Sequence, residues 1–286
     1  MGEGWASRVV VGADRGLADR IRALAERRMV FVVGLPGTGK SLVVHQLVHV
    51  ANGAGRTIHL LQWDVARPVF EASPAGRRYP LDDGVTHAVV RRAAGLWVRD
   101  ALTDWNERYR DPEHLLVGEA PFVGNRFVEL ARRIDDRAEA LLTSPSCRFA
   151  ISTPSRAVRS FLEAQRERRA RDPLHPRERE DAPPHVLRDL WQSLAAIAGG
   201  SAGEAAPYDP AVYAGVYQRV LRHRNTEIVS LDVILPTEHL SVYDFAVALR
   251  DLVPTAADAE RLIREVERRY PDPRALDGEI ARWWEA

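Results

Sequence analysis

Residues 29–33 read Met-Val-Phe-Val-Val and run directly into Gly34-Leu35-Pro36-Gly37-Thr38-Gly39-Lys40-Ser41, after which Leu42-Val43-Val44-His45-Gln46-Leu47-Val48 follows. This order of apolar run, glycine-rich turn and helix-forming segment constrains the fold more than any other feature of the chain. The apolar run suits a strand buried on both faces. The turn has the complete G-x-x-x-x-G-K-[ST] spacing of a phosphate-binding loop. Glycines let successive backbone N–H groups turn inward around an anion. The helix that follows points its positive end at the same place.

The residues expected to hold a nucleotide are therefore Gly34, Leu35, Pro36, Gly37, Thr38, Gly39, Lys40, Ser41 and Leu42. Lys40 is expected to reach the β- and γ-phosphates and Ser41 to ligate Mg²⁺, with ATP as the nucleotide. Composition strengthens this reading at one point. The 286 residues include 40 basic side chains, and Lys40 is the only lysine among them. In so Arg-biased a chain, lysine stands where a compact, flexible ammonium is needed.

The hydrophobic fraction of 45% and charged fraction of 28% are those of an ordinary globular protein. They exclude a disordered tail, a collagen and a coiled-coil rod. Basic and acidic residues balance at 40 each, so bulk charge gives no support to nucleic-acid or anionic-membrane binding. One cysteine, Cys147, excludes an internal disulfide and fits a reducing compartment. No apolar run approaches the ~20 residues of a membrane span. The first residues carry neither a signal-peptide pattern nor, with Ala6 in the deciding place, a myristoylation pattern. The chain is expected to be soluble and cytoplasmic, without a membrane partner.

Periodicity and turn signals place helices at 16–28, 86–109 (one long helix or two), 126–142, 156–171, 186–197, 208–223 and 255–270. Strands are expected at 29–33, 57–63, 114–118, 147–151 and 227–235, and residues 199–207 read as a flexible linker. Alternating strands and helices imply an α/β three-layer fold: a mostly parallel sheet of about five strands with helices on both faces. One domain spanning 1–286 is expected, with a helical insertion at 76–112 on the substrate side and an Arg-rich lid or insertion at 154–225.

Ligands of such sheets sit at the carboxyl ends of the strands. Asp64 ends the second predicted strand, where a carboxylate can accept or orient an acceptor proton, or merely cap a helix. Glu119 ends the third, placed to support Mg²⁺ or orient a water, although Gly118 stands before it where an Asp would be usual. Ser41, Asp64 and Glu119 form the expected metal set. Gly118 and Pro121 suggest close approach of backbone to ligand. Asn125 and Arg126 follow in a turn, as substrate contacts or, for Asn125, as a helix cap. After the fourth strand, residues 156–171 carry six Arg against two Glu. Arg156, Arg159, Arg166 and Arg169 are candidates to place positive charge on a transferring phosphoryl group; the competing reading is a solvated, salt-bridged helix. His45 and His49, spaced i, i+4, lack a third ligand and read as helix packing. Trp283-Trp284 reads as a docking contact.

The loop, its strand and its helix resemble the P-loop NTPase superfamily over residues 29–64. With Asp64 and the Arg-rich segment, the chain looks most like the small-molecule P-loop kinases, including the zeta-toxin and antibiotic-phosphotransferase groups. That resemblance implies transfer of the γ-phosphoryl of ATP to a hydroxyl of a small-molecule acceptor, and a segment at Leu235-Pro236-Thr237 bordering the adenine. The wording Gly-x-Pro-Gly-Thr-Gly-Lys-Ser is also typical of AAA-type ATPases. There Glu119 would activate water, Ser152 or Thr153 would sense the phosphate, and arginines would act between subunits of an oligomer. A nucleic-acid end kinase is a third reading, weakened by the zero net charge. Strand order separates the first two: kinase-type sheets set the loop's strand beside the third strand, whereas AAA-type sheets place the fourth between them.

Overall fold

The structure is a computed structural model that describes residues 8–82, 84–199 and 206–286. Most of the predicted 199–207 linker lies outside the described residues. Strand β1 (Met29–Val33) is buried along its whole length. Met29, Phe31 and Val33 enter one apolar core, and Val30 and Val32 enter a second on the opposite face. This two-sided burial is why the strand reads as continuous rather than alternating hydrophobicity. Around β1 assemble β2 (Thr57–Gln62), β3 (His114–Ala120), β4 (Cys147–Pro154), β5 (Thr226–Leu231) and β6 (Leu249–Asp251). The sheet order is β5-β4-β1-β3-β2-β6, and every neighbouring pair is parallel.

The protein is thus an α/β fold with one parallel sheet flanked by helices. It has six strands rather than the expected five. β6 is a Leu-Arg-Asp tripeptide with two exposed residues on the outer edge of β2, too short and too polar to carry a strand pattern.

One face is covered by α1 (Arg15–Ala25) and α2 (Lys40–Gly53), whose Ile21, Leu24, Val43 and Leu47 pack beneath β1. The other face takes α3 (Trp63–Ala72) and α4 (Ala88–Arg108). Short α5 (Glu139–Leu142), then α6 (Arg156–Arg171), α7 (Pro184–Ile197) and α8 (Pro210–Val220) follow. The chain closes with α9 (Ala256–Arg269) and α10 (Arg274–Ala281). The Thr255–Asp258 capping box forms at the start of α9. Trp283 docks on the chain's own core, its ring 6.0 Å from that of Tyr217. No helix among the described residues is long and apolar enough to cross a membrane.

The helix expected at 126–142 does not form. That stretch holds a 3-10 turn (Val128–Leu130), irregular chain and the four-residue α5. The carbonyls a helix would use internally go to two buried guanidiniums instead. Arg99 donates to the carbonyls of Glu129, Arg132 and Ile134. Arg224 donates to those of Leu130 and Arg132. Phe127, at φ +62°, breaks the helical path at its start.

Candidate functional site

The 34–41 loop connects β1 to α2 at the carboxyl edge of the sheet. Gly37 and Gly39 adopt φ of +74° and +80°, a turn in which side-chain-bearing residues are strained. Among the described residues, the backbone N–H groups of 37–41 donate to no protein acceptor. α2 begins at Gly39 with no side-chain cap. Uncommitted N–H groups at a long helix's N-terminus form a concavity suited to an anion.

The loop is braced from outside by distant residues. Ser152 Oγ donates to the Thr38 carbonyl at 2.7 Å. The Leu35 N–H donates to the Tyr213 hydroxyl at 3.1 Å. A Cβ on Gly34 would lie 2.2 Å from that hydroxyl, so Tyr213 makes glycine obligatory there. Leu187 of α7 sits against Gly37, where a Cβ would come within 2.6 Å of its Cδ1.

Lys40 is buried, and its Nζ donates to the Leu35 carbonyl at 3.0 Å. Glu119 lies 3.8 Å away. Ser41 Oγ donates to Glu119 Oε1 at 3.2 Å. These contacts follow from register: Glu119 pairs with Val32 of β1 on one side and with Gln62 of β2 on the other. Burial lowers the Lys40 ammonium from its ordinary value while Glu119 opposes. Burial also raises the Glu119 carboxyl, while Lys40 opposes. Desolvation thus works against charge on both groups, and a bound anion and its cation would relieve it. Ser41 and Glu119 are hard oxygen donors, suited to a Mg²⁺ ion that brings phosphate and water ligands of its own. No three-residue His/Cys/Asp/Glu metal cluster occurs among the described residues.

Asp64 sits in the first turn of α3 rather than ending the strand, and it is exposed. It lies within electrostatic reach of Lys40, Glu119 and Arg126. Within the metal set, Ser41 and Glu119 meet; Asp64 stands on the flank, on the β2–β3 side of the loop.

The candidate arginines divide. Arg166 lies within electrostatic reach of Lys40 and pairs with Asp181 at 3.3 Å. Tyr243 donates to the same carboxylate at 2.6 Å. Arg156 is exposed and bound to Asp209 and the Tyr208 carbonyl. Arg159 is buried and donates to Glu163 and the Leu187 carbonyl. Arg169 donates to the carbonyls of Thr237 and Glu238. The guanidiniums of Arg156, Arg159 and Arg169 thus tie α6 to α7, α8 and the segment after β5.

Two other expectations change. Gly118 is small because Phe31 fills its space, a Cβ there lying 2.4 Å from the Phe31 ring; ligand approach is not the reason. Asn125 caps no helix. It is buried at φ +62°, and both side-chain polar atoms lack a partner, an arrangement costing about 1–3 kcal/mol per group.

On the opposite side of the loop from Asp64, an apolar hollow lies between α6 and the segment after β5. It is lined by Leu42, Val158, Phe161, Leu162, Leu231, Val233, Ile234, Leu235 and Thr237. His45 and His49 lie against each other, ring centroids 4.4 Å apart and the rings tilted by 46°, inside the α2 packing. The sequence reading missed Asp181, Leu187, Tyr213 and Tyr243. Tyr213 and Leu187 carry only the apolar periodicity of core residues, and Asp181 stands in a charged, Pro-rich stretch that reads as solvated. No protein-family model, curated protein or solved structure matches this chain.

Proposed function

We propose that the protein is an ATP-dependent phosphotransferase acting on a hydroxyl of a small-molecule acceptor. The observation that carries this reading is the position of β1 directly beside β3. That adjacency brings Glu119 against Lys40 and Ser41 and leaves Asp64 on one flank. It is the strand order of kinase-type sheets; the AAA-type order would place β4 between them. Leu235 and Thr237 line the small apolar hollow on the other side of the loop. The Asp64 side is polar.

In this reading the N–H groups of 37–41 and Lys40 hold the phosphates. Ser41 and Glu119 would hold Mg²⁺, which would neutralise phosphate charge. Asp64 accepts the proton of the acceptor hydroxyl as its oxygen bonds to the γ-phosphorus and the bond to the ADP oxygen breaks. Arg166 leaves Asp181 to stabilise the equatorial oxygens. The Arg-rich helix does not favour a nucleic-acid track, because Arg156, Arg159, Arg166 and Arg171 are neutralised by carboxylates.

The test is transfer of label from γ-labelled ATP with Mg²⁺ to a pooled metabolite, nucleoside and aminoglycoside-type library, with Lys40→Ala as control. Label on a small molecule, absent with the variant, is expected. Label released only as inorganic phosphate, faster at higher protein concentration, would replace this reading with an oligomeric ATPase.

A further inference from the structure

The turn after β3 carries charge and hydrogen-bonding capacity that, among the described residues, no side-chain contact uses. Residues 121–127 cross the β2–β3 side of the loop, bridged back on themselves by Phe122 and Arg126. Arg126 is partly buried and, among the described residues, makes no ion pair and no side-chain hydrogen bond. Asp64 and Arg67 are within its electrostatic reach, but Arg67 is already paired with Glu71 at 3.1 Å. Arg91, also within reach of Arg126, donates to the Gly124 carbonyl at 2.8 Å and leaves its Nε buried without a partner. Next in the chain to Arg126 is Asn125, 1% exposed, with both amide atoms unpartnered.

A buried amide without partners and a guanidinium without a direct ion pair, one residue apart, are costly. The guanidinium and the Asn125 Nδ2 donor would both be satisfied by one kind of guest: an anionic group with oxygen acceptors. Arg126 is also within electrostatic reach of Lys40, so an anion held there places the rest of its molecule toward Asp64 and the phosphate loop. We propose that the acceptor is an anionic hydroxyl compound, carrying a phosphate or carboxylate that Arg126 binds and Asn125 hydrogen-bonds, with Arg91 supporting the turn. The proposal rests on the phosphotransferase reading and narrows its substrate class. A planar guanidinium fork is the donor of choice for either anion.

Two acceptor pools test it with γ-labelled ATP and Mg²⁺: neutral sugars, polyols and nucleosides, and the same scaffolds bearing a phosphate or carboxylate. Label is expected in the anionic pool. Arg126→Ala should raise the KM of the labelled acceptor by about 100-fold, far more than that of ATP, and Arg126→Lys should recover part of the loss. Phosphate esters labelled without carboxylates, or the reverse, would say which anion the turn takes. Label confined to the neutral pool overturns the anionic acceptor while leaving a kinase in place. An acceptor KM unchanged in Arg126→Ala, in a variant whose thermal unfolding matches the parent, overturns the role of Arg126. Label appearing only as inorganic phosphate sinks the phosphotransferase reading, and this inference with it.

Discussion

Single residues carry the chemistry at the loop, and single substitutions separate its parts. Lys40 is within 3.8 Å of Glu119 and hydrogen-bonded to Leu35. Lys40→Ala should cut label transfer by about 100- to 1,000-fold or more, the usual loss when one charge-stabilising donor is removed; near-normal turnover would rule out a phosphate role for the loop. Asp64 is exposed and free of hydrogen bonds to Ser41. Asp64→Asn should therefore lower kcat by about 100-fold or more with ATP affinity nearly unchanged. If equilibrium ATP binding falls in parallel with transfer, Asp64 serves the metal or the fold. Cys147 is buried in β4, and burial pushes its thiol up to about 12. It should resist a thiol reagent in the native state and react on unfolding, so its labelling rate reports global opening.

At the scale of elements, the site is built where two strands and two helices share one edge. β3 must lie close to β1 for Glu119 to reach Lys40, and Gly118 permits this by yielding its side-chain space to Phe31, whose ring stacks on Phe149 at 4.9 Å. Gly118→Ala should destabilise the protein by about 1–3 kcal/mol through overpacking. The same change made with Phe31→Leu should cost less than the two single changes summed; additive losses in denaturant unfolding would show that the ring is not the obstacle. Helix α6 illustrates what a sequence withholds. Its residues 156–171 were legible as a helix from periodicity and N-terminal signals, and Ser155 caps it. Its six arginines are alike in the sequence, but only the fold gives five of them a partner: Asp209, Glu163, Asp181, Glu167 or a backbone carbonyl.

Across the whole molecule, a buried charge network joins the parts of the chain that lack regular structure. Arg99 and Arg224 converge on Glu139 at 2.9 and 2.8 Å while holding the carbonyls of 129–134. Burial pushes the Glu139 carboxyl up, but hydrogen bonds from Arg224 and Arg99 outweigh it and bring it down to about 2. A carboxyl depressed in the folded state contributes stability that is full above its ordinary value of 4.5 and is lost as pH falls through about 2. Glu139→Gln should thus lower stability at neutral pH and flatten the acid dependence of the unfolding temperature in that window. An unchanged acid profile would place the dependence on other carboxylates. The same network explains why 126–142 is not a helix, although its apolar spacing resembles one.

Much of the architecture was legible along the chain: the two-sided burial of β1, the loop spacing of 34–41, the helices at 86–109, 156–171 and 255–270, and the α/β layering. These depend on the backbone preferences and side-chain periodicity of residues a few positions apart, so a linear reading reaches them. The tertiary structure alone decided the strand order, the partners of the arginines, the apolar hollow beside Leu235, and the unpaired Arg126 with its buried neighbour Asn125. Ser152 meets Thr38 across 114 residues and Tyr213 meets Leu35 across 178. Contacts at such separations are set by how elements pack, and a charge or an amide acquires its cost or its use only from what packing places beside it.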